Sequence, residues 1–132
     1  MASAPRPVDK PRPVYLNLFA IRQPIPAVVS ILHRASGALL FLVGLPLGLW
    51  ALQTSLASPE GYAGLGAFFT HPVVRFGVVI LLWAYLHHLF AGVRHVLSDL
   101  HIGLDLVGAR RTAAIALVLG ILLTAAIGVK LW

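Results

Sequence analysis

VVRFGVVILLWAYLHHLFAGVRHVL, residues 73–97, is the stretch that decides the fold. Between Arg75 and His87 it carries no formal charge, and apolar residues do not alternate with polar ones along it. A helix needs about 20 residues at about 1.5 Å rise to cross a hydrocarbon core of about 30 Å, and this block is long enough. Two further apolar blocks, Ile31–Leu52 and Thr112–Trp132, have the same character. Strands are excluded on physical grounds, since so few could not close a barrel and would leave unpaired backbone groups facing lipid. The expectation is an all-α integral membrane protein: a three-helix transmembrane bundle over residues 30–132, with spans at about 30–53, 73–98 and 111–132.

Composition agrees. Of 132 residues, 59% are hydrophobic and only 11% charged, whereas a soluble domain is about a quarter charged. The absence of cysteine excludes disulfides and thiolate-ligated metals or clusters. A net charge of +6 invites a nucleic-acid reading. The basic residues, however, flank apolar segments rather than cover a soluble face, so lipid phosphate, acidic partner surfaces and topology account for them and no nucleic-acid partner is expected.

The basic residues also orient the chain. Arg6, Lys10, Arg12, Arg22 and Arg34 precede or open the first span, and Arg94, Arg110 and Arg111 surround the second loop, while the loop from Gln53 to Pro72 has no lysine or arginine. The positive-inside rule then puts the N-terminus and second loop in the cytoplasm and the C-terminus outside, with Arg75 and Lys130 as minor dissenters. Residues 1–29 are polar and proline-rich and lack the marks of a secretory signal or mitochondrial transit peptide, which favours a bacterial inner-membrane protein. They read as an extended N-terminal cytoplasmic arm for contact with a partner. Ser58-Pro59-Glu60 has the signature of a helix start, predicting a short surface helix over Pro59–Phe69. Pro46 predicts a kink in the first span. Trp50, Trp83 and Trp132 are candidate interfacial anchors, with Trp83 too deep for that role.

Ionisable residues within a span are costly and point to function. Helical spacing sorts those of the second span into adjacent stripes, one with His88, Gly92, His95 and Asp99, the other with His87, Ala91, Arg94 and Ser98. Each contains a buried histidine that could ligate haem iron through a neutral imidazole. Spacing does not choose between them, although Gly92 would clear space for a flat cofactor one turn from His88. Arginine and histidine near the interface would suit anionic haem propionates. At the start of the first span, Ser30 and Arg34 share a helical face beside His33. A hydroxyl and a fixed cation suit a quinone carbonyl. On spacing alone, N-capping by Ser30 and snorkelling of Arg34 is the stronger reading. No paired carboxylates, nucleophile with base or nucleotide loop is present, so no catalytic residue is expected within this chain.

Several stretches together resemble one family. Arg12-Pro13-Val14 with Leu16 and Leu18, Ser30-Ile31-Leu32-His33-Arg34 with Ser36-Gly37, and His88 with Gly92-Val93-Arg94-His95 and Asp99 are similar in order and spacing to the cytochrome b subunit of succinate dehydrogenase. Ser55 through Tyr62 resembles the loop of its enterobacterial branch. The arm departs from the mitochondrial pattern at Tyr15-Leu16-Asn17, which lacks a Ser-Pro-His stretch. The resemblance implies that His88 is the axial ligand to haem b, that Ser30, Ile31 and Arg34 line a ubiquinone site, and that His33, Arg34 and His95 lie near the haem propionates. It implies as partners a second membrane-anchor subunit supplying the other haem ligand, an iron–sulfur subunit and a flavoprotein subunit. Electrons from succinate would then reach quinone through the complex, and the chain alone would not oxidise succinate. A fumarate reductase anchor and a haem-free membrane adaptor or transporter are the alternatives.

Overall fold

The computed structural model describes residues 20–131, so most of the expected arm and Trp132 lie outside the described residues. Helix α1 spans Ile25–Leu39, a π-helical stretch spans Leu40–Gly44, and α2 spans Leu45–Ala57; α3 is Pro59–Thr70, α4 is Pro72–Asp99 and α5 is Leu106–Leu131. No strand occurs among the described residues. Three helical runs are long and apolar enough to cross a membrane: Ile25–Ala57, Pro72–Asp99 and Leu106–Leu131.

The first helix begins earlier than its apolar block. Pro24 is extended, with φ −69° and ψ 152°, and proline lies in the first turn, where a missing N–H costs nothing and a fixed φ favours the helix. Ile25–Val29, expected to be arm, are therefore helical, and Ser30 sits inside α1 rather than at its cap. The disturbance expected at Pro46 takes the form of a wide turn. Leu45 N–H bonds the carbonyl of Leu40, five residues back. A proline ring presses on the carbonyl four residues before it, and a π turn relieves that crowding without breaking the helix.

The surface helix forms as its residues dictate. Ser58 Oγ accepts from Gly61 N–H at 3.0 Å, capping α3. The Glu60 carboxyl is held below its usual value by its own backbone N–H and then by the Ser58 hydroxyl. This favours the charged form beside the positive end of the helix dipole, an effect lost as pH falls through that lowered value. At the other side of the bundle, Asp105 Oδ2 accepts from Gly108 N–H at 3.0 Å and opens α5.

Helix α4 ends in a Schellman motif: Ile102 N–H bonds Leu97 O at 2.9 Å and His101 N–H bonds Ser98 O at 3.0 Å. His101 occupies the left-handed position, with φ 63°, where glycine is the usual residue. His101→Gly is expected to relieve about 1–2 kcal/mol of backbone strain and to lose about 0.5–1 kcal/mol through greater unfolded-chain freedom. A small net rise in the thermal midpoint of the detergent-solubilised protein would register it, and a fall would contradict it.

Helix α4 is the centre of the bundle, packed against both α1 and α5, while α2 lies against α3. Small residues set the spacing. A Cβ on Gly120 would fall 3.5 Å from His87 Cα, so α5 approaches the α4 backbone closely there. The buried residues are few and mostly small, including Val29, Ala84, Ala91 and Ala113, each fully buried. Only 6% of the apolar stretch of the first span and 22% of each of the others is buried, which leaves the remaining apolar surface for lipid and partners.

Candidate functional site

Two helices build the site. From α1 come Ser30, His33, Arg34, Ser36 and Gly37; from α4 come His88, Gly92 and His95. The His33 and His88 rings stack at 4.0 Å with an interplanar angle of 12°. His95 is tilted against His33 at 5.0 Å. The structure thus brings three of the sequence-selected histidines into one cluster where α1 crosses α4.

The hydrogen bonds around His88 fix its useful atom. Its Nδ1 lies 3.0 Å from the His33 carbonyl oxygen and 3.3 Å from Ser36 Oγ, and Ser36 Oγ–H donates to the same carbonyl at 2.9 Å. A carbonyl only accepts, so Nδ1 carries the proton and Nε2 keeps a lone pair in the neutral ring. Such a bond from the distal nitrogen is what orients imidazole ligands on metals. Ser36 is 2% exposed and belongs to this scaffold.

Gly37 makes room for the His88 ring itself, a role separate from the space Gly92 is expected to leave for a flat cofactor. A Cβ on Gly37 would lie 2.8 Å from His88 Cε1, while the open side of Gly92 faces His33 Nε2 at 3.7 Å. The crossing of α1 over α4, which spacing along one helix does not reveal, puts Gly37 against the His88 imidazole. The sequence signal for it was the small Ser36-Gly37 pair one turn after His33.

His87 has a different environment. It is fully buried, stacked on Trp83 at 5.3 Å, and among the described residues neither ring nitrogen makes a hydrogen bond of good geometry, the Val29 backbone being the polar group beside it. It lies where α4 meets Gly120 of α5. His88 is half-buried on another face. The two histidines left equal by spacing therefore differ in access.

Ser30 and Arg34 do share a face, linked by Arg34 Nε–H donating to the Ser30 carbonyl at 3.3 Å. Arg34 is exposed and Ser30 half-buried, and Ile31 beside them is 41% exposed. With Ser30 one turn inside the helix, its hydroxyl is not spent on a cap. Arg94 and His95, adjacent in sequence, part company: Arg94 turns to α5, its Nε–H donating to Thr112 Oγ1 at 3.3 Å. Arg94 thus faces α5 rather than His33, and Thr112 is a partner that sequence reasoning missed.

The family described as Succinate dehydrogenase/Fumarate reductase transmembrane subunit matches residues 8–127. The chain is 36% identical over 122 residues to the succinate dehydrogenase cytochrome b556 subunit of Coxiella burnetii, covering 92% of this chain and 97% of that protein. It is 34% identical over 107 residues to the protein of the same name from Paracoccus denitrificans, covering 77% and 78%.

Proposed function

The chain belongs to the transmembrane-subunit family of succinate dehydrogenase and fumarate reductase, and from that premise we propose that it is the cytochrome b anchor of a succinate:quinone oxidoreductase, holding haem b and half of a ubiquinone site. Both relatives are named as succinate dehydrogenase subunits, which favours succinate oxidation over the reverse reaction. The observation that carries the haem reading is the His88 Nδ1–His33 carbonyl bond at 3.0 Å. It leaves Nε2 as a lone-pair donor on a half-buried face.

The residues present fit the group. His88 would hold the iron, with Gly37 leaving its ring room and His33 and Ser36 fixing the ring orientation. Arg34, His33 and His95 would meet the propionates. Haem b, when bound, supplies a one-electron redox centre whose potential the surrounding residues tune. The other haem ligand would come from a second membrane-anchor subunit. The iron–sulfur and flavoprotein subunits would dock on the face that carries the N-terminus and the basic second loop, which we assign to the cytoplasmic side of a bacterial inner membrane.

For the quinone, Ser30 Oγ–H would donate to a carbonyl oxygen. Arg34, tethered through Nε, keeps its terminal nitrogens for the negative charge that develops there. Ile31 offers an apolar wall against the ring. The cation is pre-positioned by its own helix, so little ordering is left for the moment of binding.

A reduced-minus-oxidised visible spectrum of the complex purified through this chain tests the proposal. A b-type spectrum supports it; its absence would leave the haem-free adaptor. Gly37→Ala adds a finer check. The new Cβ would displace the His88 imidazole and weaken its hydrogen bond, worth about 1 kcal/mol. Shifted haem bands or reduced haem content at unchanged subunit stoichiometry are expected, and wild-type bands at full occupancy would count against His88 as ligand.

A further inference from the structure

On the side of the α4–α5 seam away from the histidine cluster runs a groove of about 220 Å³. Phe90 and Leu97 of α4 and Ile115 and Leu119 of α5 form its apolar walls, and Arg94 and Thr112 are the polar groups in its lining. Arg94 lies five residues before the end of α4, about 8 Å below it at 1.5 Å rise. Its Nε is taken by Thr112, and among the described residues no carboxylate reaches the guanidinium. A cation at that depth is costly without an anion. Arg111 is exposed and stands one turn before Ile115, on the stripe that continues to Leu119. Arg94 thus stands in the lining of an apolar channel that contains no acidic residue, and helical spacing puts Arg111 one turn beyond Ile115 toward the membrane surface.

We infer that this groove holds one anionic phospholipid, its phosphate bound by Arg94 and Arg111 and an acyl chain lying along Phe90, Leu97, Ile115 and Leu119. The guanidinium fork matches phosphate oxygens bidentately. The apolar walls favour a chain that a free phosphate lacks, and the paired positive charge favours an anionic over a zwitterionic headgroup. Nothing in this assignment depends on haem or quinone.

The test uses the intact complex, stripped of lipid by detergent exchange and reloaded from mixed micelles carrying photoactivatable phosphatidylglycerol or phosphatidylcholine. Phosphatidylglycerol is expected to label peptides 90–97 and 112–119, with excess inorganic phosphate failing to displace it. The Arg94→Gln/Arg111→Gln variant is expected to retain roughly tenfold less of this lipid, while Lys130→Gln, at the other end of α5, retains it fully. Equal labelling by phosphatidylcholine, displacement by phosphate, or unchanged retention in the double variant would overturn the inference. So would absence of label at these peptides in the wild type, which would mean that a partner helix covers the groove. Should the double variant fail to assemble, the wild-type comparison of the two lipids still decides.

Discussion

His88→Ala, in the complex purified through this chain, is expected to lose the b-type visible spectrum or to retain haem at least roughly tenfold more weakly. Outer-shell partners of metal ligands alone carry 10–100-fold in affinity, so a ligand itself carries no less. The informative companion is His87→Phe. His87 is fully buried, its ring nitrogens outside good hydrogen-bond geometry with the Val29 backbone as the polar group beside it, so an apolar ring of similar size removes a poorly compensated polar group. The spectrum should remain and stability should hold or rise by about 1 kcal/mol. The reverse outcome, a spectrum kept in His88→Ala and lost in His87→Phe, would transfer the ligand to the buried stripe. A spectrum kept in both would move it to a partner chain.

Quinone reduction should collapse in a second pair of variants. Ser30→Ala and Arg34→Leu each remove a group proposed to stabilise charge on the quinone oxygen, and loss of one such donor typically costs about 100-fold or more in turnover. Succinate oxidation read with an artificial acceptor at the soluble subunits should stay near wild type, which separates loss of the quinone site from loss of assembly. Arg34→Lys keeps the charge without the fork and should recover only part of the rate. If Arg34 merely snorkels to lipid phosphate, all three variants would stay within a few-fold of wild type, and the quinone assignment would fail.

Much of this architecture is legible in the sequence because lipid imposes a coarse rule. Spans of about 20 apolar residues leave few alternatives, and the α3 start at Ser58-Pro59-Glu60 follows from local capping chemistry alone. Helix rotation is less legible. Spacing along α4 sets which residues share a stripe, but not which stripe meets α1 and which meets α5. So the pairing of His88 with Gly37 and the turn of Arg94 toward Thr112 emerge only from the packed bundle. Ser30 shows the same limit at a boundary. Its apolar neighbours made it resemble a cap, whereas Pro24 and the proline in the first turn start the helix a turn earlier. The arm's contacts at 1–19 lie outside the described residues.

The wide turn at Leu40–Gly44 has a consequence for comparing chains. A π turn is in effect a single inserted residue absorbed within a helix, leaving the faces on either side in phase. Family members whose first span is uninterrupted α-helix should therefore be one residue shorter between the positions of Gly37 and Leu47. An alignment that spreads that gap elsewhere would rotate its matched residues by about 100° per misplaced position, and would pair the wrong side chains on one flank of the turn.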